Sequence, residues 1–169
     1  ADEVQDPFEK NKPGMGLGRD PERTPMQWSA AAHAGFTTGI PWLRLASDWR
    51  MHNVEAQSRD PGSMLTLYRR LIALRRAQPA LNRGNHEALE TEGEVLAYAR
   101  NGEGQRLVVL LNFGATSAPV SPALMPRQPI VLASTDPART ESMIEGPLVL
   151  APCEGVVIGA VDDKGPTTR

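Results

Sequence analysis

Two arginines four residues apart, Arg19 and Arg23, sit in the run GRDPERTPMQW that extends from Gly18 to Trp28. A guanidinium is a planar fork of donors with no acceptor, so it grips hydroxyl oxygens or anions in fixed geometry. Nothing in the run alternates as a strand would, and Pro21 and Pro25 bar a long helix. The run reads as a shaped loop, the kind of segment that carries ligand contacts on a rigid scaffold. The chemistry it offers is recognition of a hydroxyl-rich or anionic ligand.

Other residues capable of chemistry lack companions. His33, His52 and His86 show no metal-ligand spacing and have no partner cysteine. Cys153, the single cysteine, lies beside Pro152 at an expected strand start and reads as packing. Asp20 precedes Pro21 and reads as the N-cap of a short turn rather than a catalytic acid. Glu90, Glu92 and Glu94, like Glu141 and Glu145, have no apolar neighbours to raise a carboxyl pKa and read as solvated surface. Trp28 and Trp42 are expected in the interior of the loop region. Neither a metal nor a cofactor is expected.

The bulk numbers narrow the classes. The chain has 169 residues, 40% hydrophobic and 22% charged, with a formal net charge of -2. That charge gives no footprint for nucleic acid or an anionic membrane, and the helix arginines Arg69, Arg70, Arg75 and Arg76 lack interleaved aromatics. The longest strongly apolar run, Leu107 to Leu111, is far too short to span a bilayer. The opening Ala-Asp-Glu-Val carries no signal pattern and is expected to follow an upstream segment; with one cysteine, a reducing, cytoplasmic location is favoured.

The supporting elements fall into two textures. Prolines and glycines punctuate the first sixty residues, yet Phe8, Trp28, Phe36, Trp42 and Trp49 argue against disorder. This segment is expected to pack on something outside the chain. A helix is then expected from Asp60 as N-cap and Pro61 at the first position to Ala77, with an apolar stripe of Met64, Leu67, Tyr68, Leu71, Ile72 and Leu74. Gln78-Pro79 stops it, and a helix of this length needs a partner surface. Short strands are expected at His86–Leu89, Val95–Arg100, Arg106–Phe113, Pro129–Ala133, Pro147–Leu150 and Gly155–Val161, with a hairpin at Asn101-Gly102-Glu103-Gly104. They suggest an antiparallel sandwich of about 80 residues.

The blocks QDPFEKN (5–11), GRDPERTPMQW (18–28), AGFTTG (34–39), PWL (41–43), Asn53-Val54 and SMLTLYRRLIALRR (63–76), in this order, resemble bacterial α-glucosidases and oligo-1,6-glucosidases of the α-amylase family. The likeness is close over about the first 82 residues and looser beyond. It implies an α+β fragment. Residues 1–82 would be the loop after the eighth strand and the last helix of a (β/α)8 barrel, 83–163 a small antiparallel β-sandwich domain, and 164–169 a polar tail. Such a loop lies on the face where barrel enzymes place their active sites.

The resemblance also implies retaining glycoside hydrolysis, with a nucleophilic carboxylate and an acid about 5 Å apart. Both lie on earlier barrel strands in that family, so the chain is expected to be a C-terminal fragment that is inactive alone. Its contribution would be substrate binding in an exo-acting enzyme that removes terminal α-linked glucose from short oligosaccharides or sucrose-like substrates. Arg19 would line the pocket for the terminal glucose beside an aspartate from an early barrel loop, and Arg23 would reach the rim or pin the loop. The partners implied are an α-glucoside and the upstream barrel. Ser29, Ile40 and Arg44 depart from the family pattern and bear on the outer rim. AGFTTG favours glucosidases over trehalose-forming isomerases; a transglucosidase or isomerase and a non-catalytic scaffold are the alternatives.

Overall fold

The computed structural model describes residues 4–14, 16 and 18–161; the polar tail lies outside them. The chain divides into two compact units, Ala1–Thr66 and Leu67–Arg169.

The first unit is held together by capping groups. Asp6 caps α1 (Pro7–Asn11), accepting from the Phe8 amide, with Pro7 at the opening position. A 3₁₀ turn follows at Asp20–Arg23, and a second at Ala32–Gly35. Within the latter, His33, Ala34 and Gly35 all have left-handed φ, at 52°, 57° and 66°. Two consecutive non-glycine residues there are strained, because Cβ crowds the following carbonyl. Asn53 is buried and caps α2 (Val54–Arg59): its Oδ1 accepts from Ala56 N at 2.9 Å, and its Nδ2 donates to Trp49 O at 3.0 Å.

The long helix α3 runs Met64–Ala77 and so starts later than Asp60-Pro61 implies. Asp60 ends α2 instead, and its Oδ1 accepts from Gly62 N at 2.8 Å, closing an Asx turn that contains Pro61. Ser63 takes the capping role: its Oγ accepts from Thr66 N at 3.2 Å and donates to Gln57 O at 2.6 Å. The expected stop at Ala77 holds. A further short helix, α4 (Pro79–Arg83), uses the same Pro79 as its opening residue. None of the α3 residues is buried among the described residues, and Met64, Tyr68 and Ile72 on its expected apolar stripe are exposed.

The second unit carries β1 (Asn85–Leu89), β2 (Val95–Gly102), β3 (Gln105–Asn112), β4 (Ala118–Pro119), β5 (Pro129–Ser134), β6 (Val149–Leu150) and β7 (Gly155–Ala160). Five strands form one antiparallel sheet in the order β1-β2-β3-β7-β5, and β4 pairs with β6 in a second. The β2–β3 hairpin closes on Glu103-Gly104, with φ of 51° and 80°, as a two-residue turn demands. Val108 and Leu110 of β3 join Val120, Leu148 and Leu150 from the two-stranded side in one core. Val109 and Leu111 point the other way, into a cluster with Ala133, Val157, Leu74 and Leu81. Both faces of β3 are therefore covered, which explains the unbroken run Leu107–Leu111 where alternation would mark a half-exposed strand. Cys153 is exposed and left-handed, at φ 55°, in the turn before β7; the expectation that it packs inside is corrected, because the turn turns its side chain outward.

Candidate functional site

The guanidinium of Arg19 is the centre of the best-organised polar cluster in the first unit. Its Nε and Nη2 donate to the two oxygens of Asp6, at 3.3 and 3.2 Å, as a side-on pair. The Arg19 backbone amide donates to the same carboxylate at 3.0 Å, and the Phe8 amide does so at 3.2 Å. Asp6 is 1% exposed, whereas 52% of the Arg19 side chain remains open. The bonds from the Arg19 side chain and amide hold the Asp6 carboxyl well below the usual carboxylate range, and the same pair raises the guanidinium. With Nε and one Nη2 hydrogen engaged, the Nη1–Nη2 edge is left to hold a pair of acceptors.

Gly18 makes this arrangement possible. Its φ is +57°, and a Cβ built on it would stand 2.6 Å from Asp6 Oδ2 and 2.9 Å from Glu9 Cβ. The left-handed step brings residue 19 back over residue 6, and only a glycine leaves room for the carboxylate beneath. Two more buried carboxylates flank the turn. Glu9 accepts from Gly14 N at 2.7 Å, and Asp20 from Gln5 N at 2.6 Å. Asp20 is therefore not the N-cap of its turn; it occupies the first position of Asp20–Arg23 and staples that turn to Gln5. All three carboxylates accept backbone amides. A general acid needs a raised carboxyl pKa, and Asp6 has the opposite shift.

Arg23 ends the same turn, exposed, its side chain with no hydrogen bond or ion pair among the described residues. The Met-Gln-Trp end of the block is fixed by its backbone. Trp28 N and Ser29 N both donate to Ala34 O, at 2.9 and 3.1 Å. Gln27 O and Trp28 O accept the first amides of α2, from Val54 and Glu55. The Gln27 side chain reaches Asp48, which also meets His52 Nδ1 at 2.9 Å; these two bonds, Gln27 first, lower the Asp48 pKa. The side chains of Trp28 and Trp42 are 51% and 72% exposed, which corrects the expectation that they lie inside; only Trp49 of the three is buried. Among the described residues, no group of three or more His, Cys, Asp or Glu side chains could hold a metal ion.

Asp6 is the residue that sequence reasoning passed over. Within the chain, Arg19 already has a carboxylate partner thirteen positions upstream, besides any aspartate that the family resemblance implies from an earlier loop. The only signal was the Asp6-Pro7 dipeptide, which marks a cap and says nothing of a guanidinium.

The site's block falls in residues 1–84, which match the family model for the α-amylase catalytic domain; residues 82–157 match a domain of unknown function, DUF3459. The chain belongs to the α-amylase family of glycoside hydrolases. This α-amylase-family chain joins a piece of the catalytic domain to a C-terminal antiparallel sheet domain. It is 42% identical over 97 residues to an oligo-1,6-glucosidase of Halalkalibacterium halodurans, covering 57% of the chain and 17% of that enzyme. It is also 42% identical over 102 residues to a trehalose-6-phosphate hydrolase of Escherichia coli, covering 60% of the chain and 18% of that enzyme. Among solved structures, the trehalulose synthase MutB from Pseudomonas mesoacidophila MX-45 is similar at a TM-score of 0.71 and 27% identity, over 90% of this chain and 30% of that one. The chain thus spans about a fifth of the length of the curated relatives it matches.

Proposed function

We propose that the chain is the C-terminal portion of an exo-acting, retaining α-glucosidase, in which Arg19 binds the terminal glucose and the catalytic carboxylates come from elsewhere in the same protein. Residues 1–82 would complete the barrel, as the loop after its eighth strand and its last helix, and 83–163 would form the β-domain. One observation carries this reading: Arg19 is clamped on one edge by a buried carboxylate and keeps its other donor edge open. That edge suits two neighbouring sugar hydroxyls, and a charged pair at the pocket's end leaves room for one ring. Arg23, one short turn away and unpaired among the described residues, would reach the rim. The exposed Trp28, Trp42 and α3 stripe agree with cover by the rest of the barrel. The substrate is an α-glucoside. No helix among the described residues is long and apolar enough to cross a membrane, and a cytoplasmic location is proposed.

The test is Arg19→Ala in the full-length protein. Two charge-assisted hydrogen bonds at about 1.5 kcal/mol or more each predict a fall in kcat/KM on short α-glucosides of at least about 10²-fold, with the fold intact. Unchanged kinetics would remove the assignment, and absence of the carboxylate pair upstream would favour a non-catalytic scaffold. A second reading has its own observation, since solved relatives include a trehalulose synthase and the isomaltulose synthase of Klebsiella sp. LX3, the latter at 28% identity and a TM-score of 0.69 over 83% of this chain and 25% of that one. Sucrose turned over to free glucose and fructose supports hydrolysis; a rearranged disaccharide supports transglucosylation.

A further inference from the structure

We propose that Asp6 is the positioning residue that fixes the Arg19 guanidinium for sugar recognition, an inference that rests on the pocket reading above. Asp6 is almost fully buried and gathers both the side chain and the backbone amide of Arg19, so that one carboxylate sets the place and the direction of the guanidinium. Its bond to Phe8 N ties the same carboxylate to the start of α1, which gives the clamp a rigid base. The neighbouring acids do not compete for this role, because Glu9 serves Gly14 and Asp20 serves Gln5. Gly18 is matched to it: any side chain there would drive Asp6 Oδ2 away.

The consequence is pre-organisation. A free arginine has many rotamers, and holding one of them before the ligand arrives removes that ordering cost from each binding event. The side-on pair also decides which donors the ligand meets, because it takes Nε and one Nη2 hydrogen and leaves the outer edge. Asp6 itself, buried behind the arginine, acts through Arg19 and not by touching sugar.

The experiment is a double-mutant cycle on kcat and KM for a short α-glucoside, in the full-length protein. Asp6→Asn keeps the shape but replaces one acceptor by an amide facing a donor, and should lower kcat/KM about tenfold, chiefly through KM. In an Arg19→Ala background the same change should move kcat/KM less than about twofold, since nothing remains to be positioned. An equal loss in both backgrounds would show a merely structural role and overturn the proposal, as would an unchanged Asp6→Asn enzyme. If Asp6→Asn does not fold, chemical rescue decides: millimolar guanidinium should restore activity to Arg19→Ala by occupying the intact Asp6 site, and no restoration overturns it. Loss in Arg19→Ala without loss in Asp6→Asn leaves the pocket reading standing and removes only this inference. No loss in Arg19→Ala removes both.

Discussion

The two units of the chain are built on opposite plans. Residues 67–161 hold a conventional apolar core in which Leu110, Ile130, Leu150 and Ile158 are fully buried and two clusters flank one sheet. The first unit buries little of that kind; Val4, Leu43 and Trp49 are its larger buried apolar groups. It buries instead Asp6, Glu9, Asp20, Asn53 and Ser63, nearly all of them accepting backbone amides, while Trp28, Phe36, Ile40 and Trp42 face outward. A polar framework of this sort specifies the shape of a loop but supplies little of the apolar burial that drives folding. The difference separates a part made to be stable from a part made to be shaped.

The largest effect is expected where the stable unit relies on a polar group. Glu154 is 3% exposed and accepts from Ala151 N at 2.7 Å, from Ser134 Oγ at 3.2 Å and from Arg139 Nη1 at 2.7 Å, joining the turn before β7 to β5 and the end of β6. Glu154→Ala removes the acceptor those donors share and should cost about 3 kcal/mol, at the low end for a buried pair because Arg139 keeps its bond to Val149 O and part of its side chain in water. Denaturant unfolding followed by far-ultraviolet circular dichroism measures it; a loss below about 1 kcal/mol would mean that the sheet unit does not depend on this tie.

The same contrast explains what was legible beforehand. The strands were readable because apolar runs and turn residues act locally: Glu103-Gly104 forces the hairpin, and Gln78-Pro79 ends α3. β4, two residues long and ending in Pro119, carries no such pattern. The start of α3 misled because Asp60-Pro61 has the residue types of a helix start, while the Asp60 carboxylate is spent on Gly62 and Ser63 caps the helix. Arg19 was legible by its donor chemistry and its block. Asp6 was not, because its meeting with Arg19 depends on the left-handed turn at Gly18, a conformation no spacing rule reads across thirteen residues. The tryptophans were placed inside on hydrophobicity alone, whereas Trp28 and Trp42 stand exposed.

In the shaped unit, smaller changes should suffice. Asn53→Ala removes the α2 cap and strands the carbonyls of Trp49 and Arg50, at a cost of about 2 kcal/mol. All three tryptophans lie before residue 50, so their fluorescence follows this unit alone. The transition it reports should move to lower denaturant while the dichroism of the sheet stays in place; a common shift of both would contradict the division. His33→Gly should act in the opposite sense, stabilising by about 1 kcal/mol through relief of its left-handed φ of 52°. Destabilisation there would show that the imidazole contributes more than the strain removes.

The weakest effect concerns acid. The carboxyl of Asp6 is held below its ordinary value, so its stabilising contribution is complete above the unfolded pKa of about 3.9 and is lost as pH falls toward the folded one. The contribution of this pair to the tryptophan-reported stability should therefore be constant between about pH 9 and pH 5, and should fall below about pH 4. Because half of the Arg19 side chain is open to water, screening keeps the change small, and added salt should reduce it further. Asp6→Asn should remove this acid dependence from the tryptophan-reported transition. An undiminished acid transition in Asp6→Asn would show that the charge of this carboxylate does not hold the clamp on Arg19.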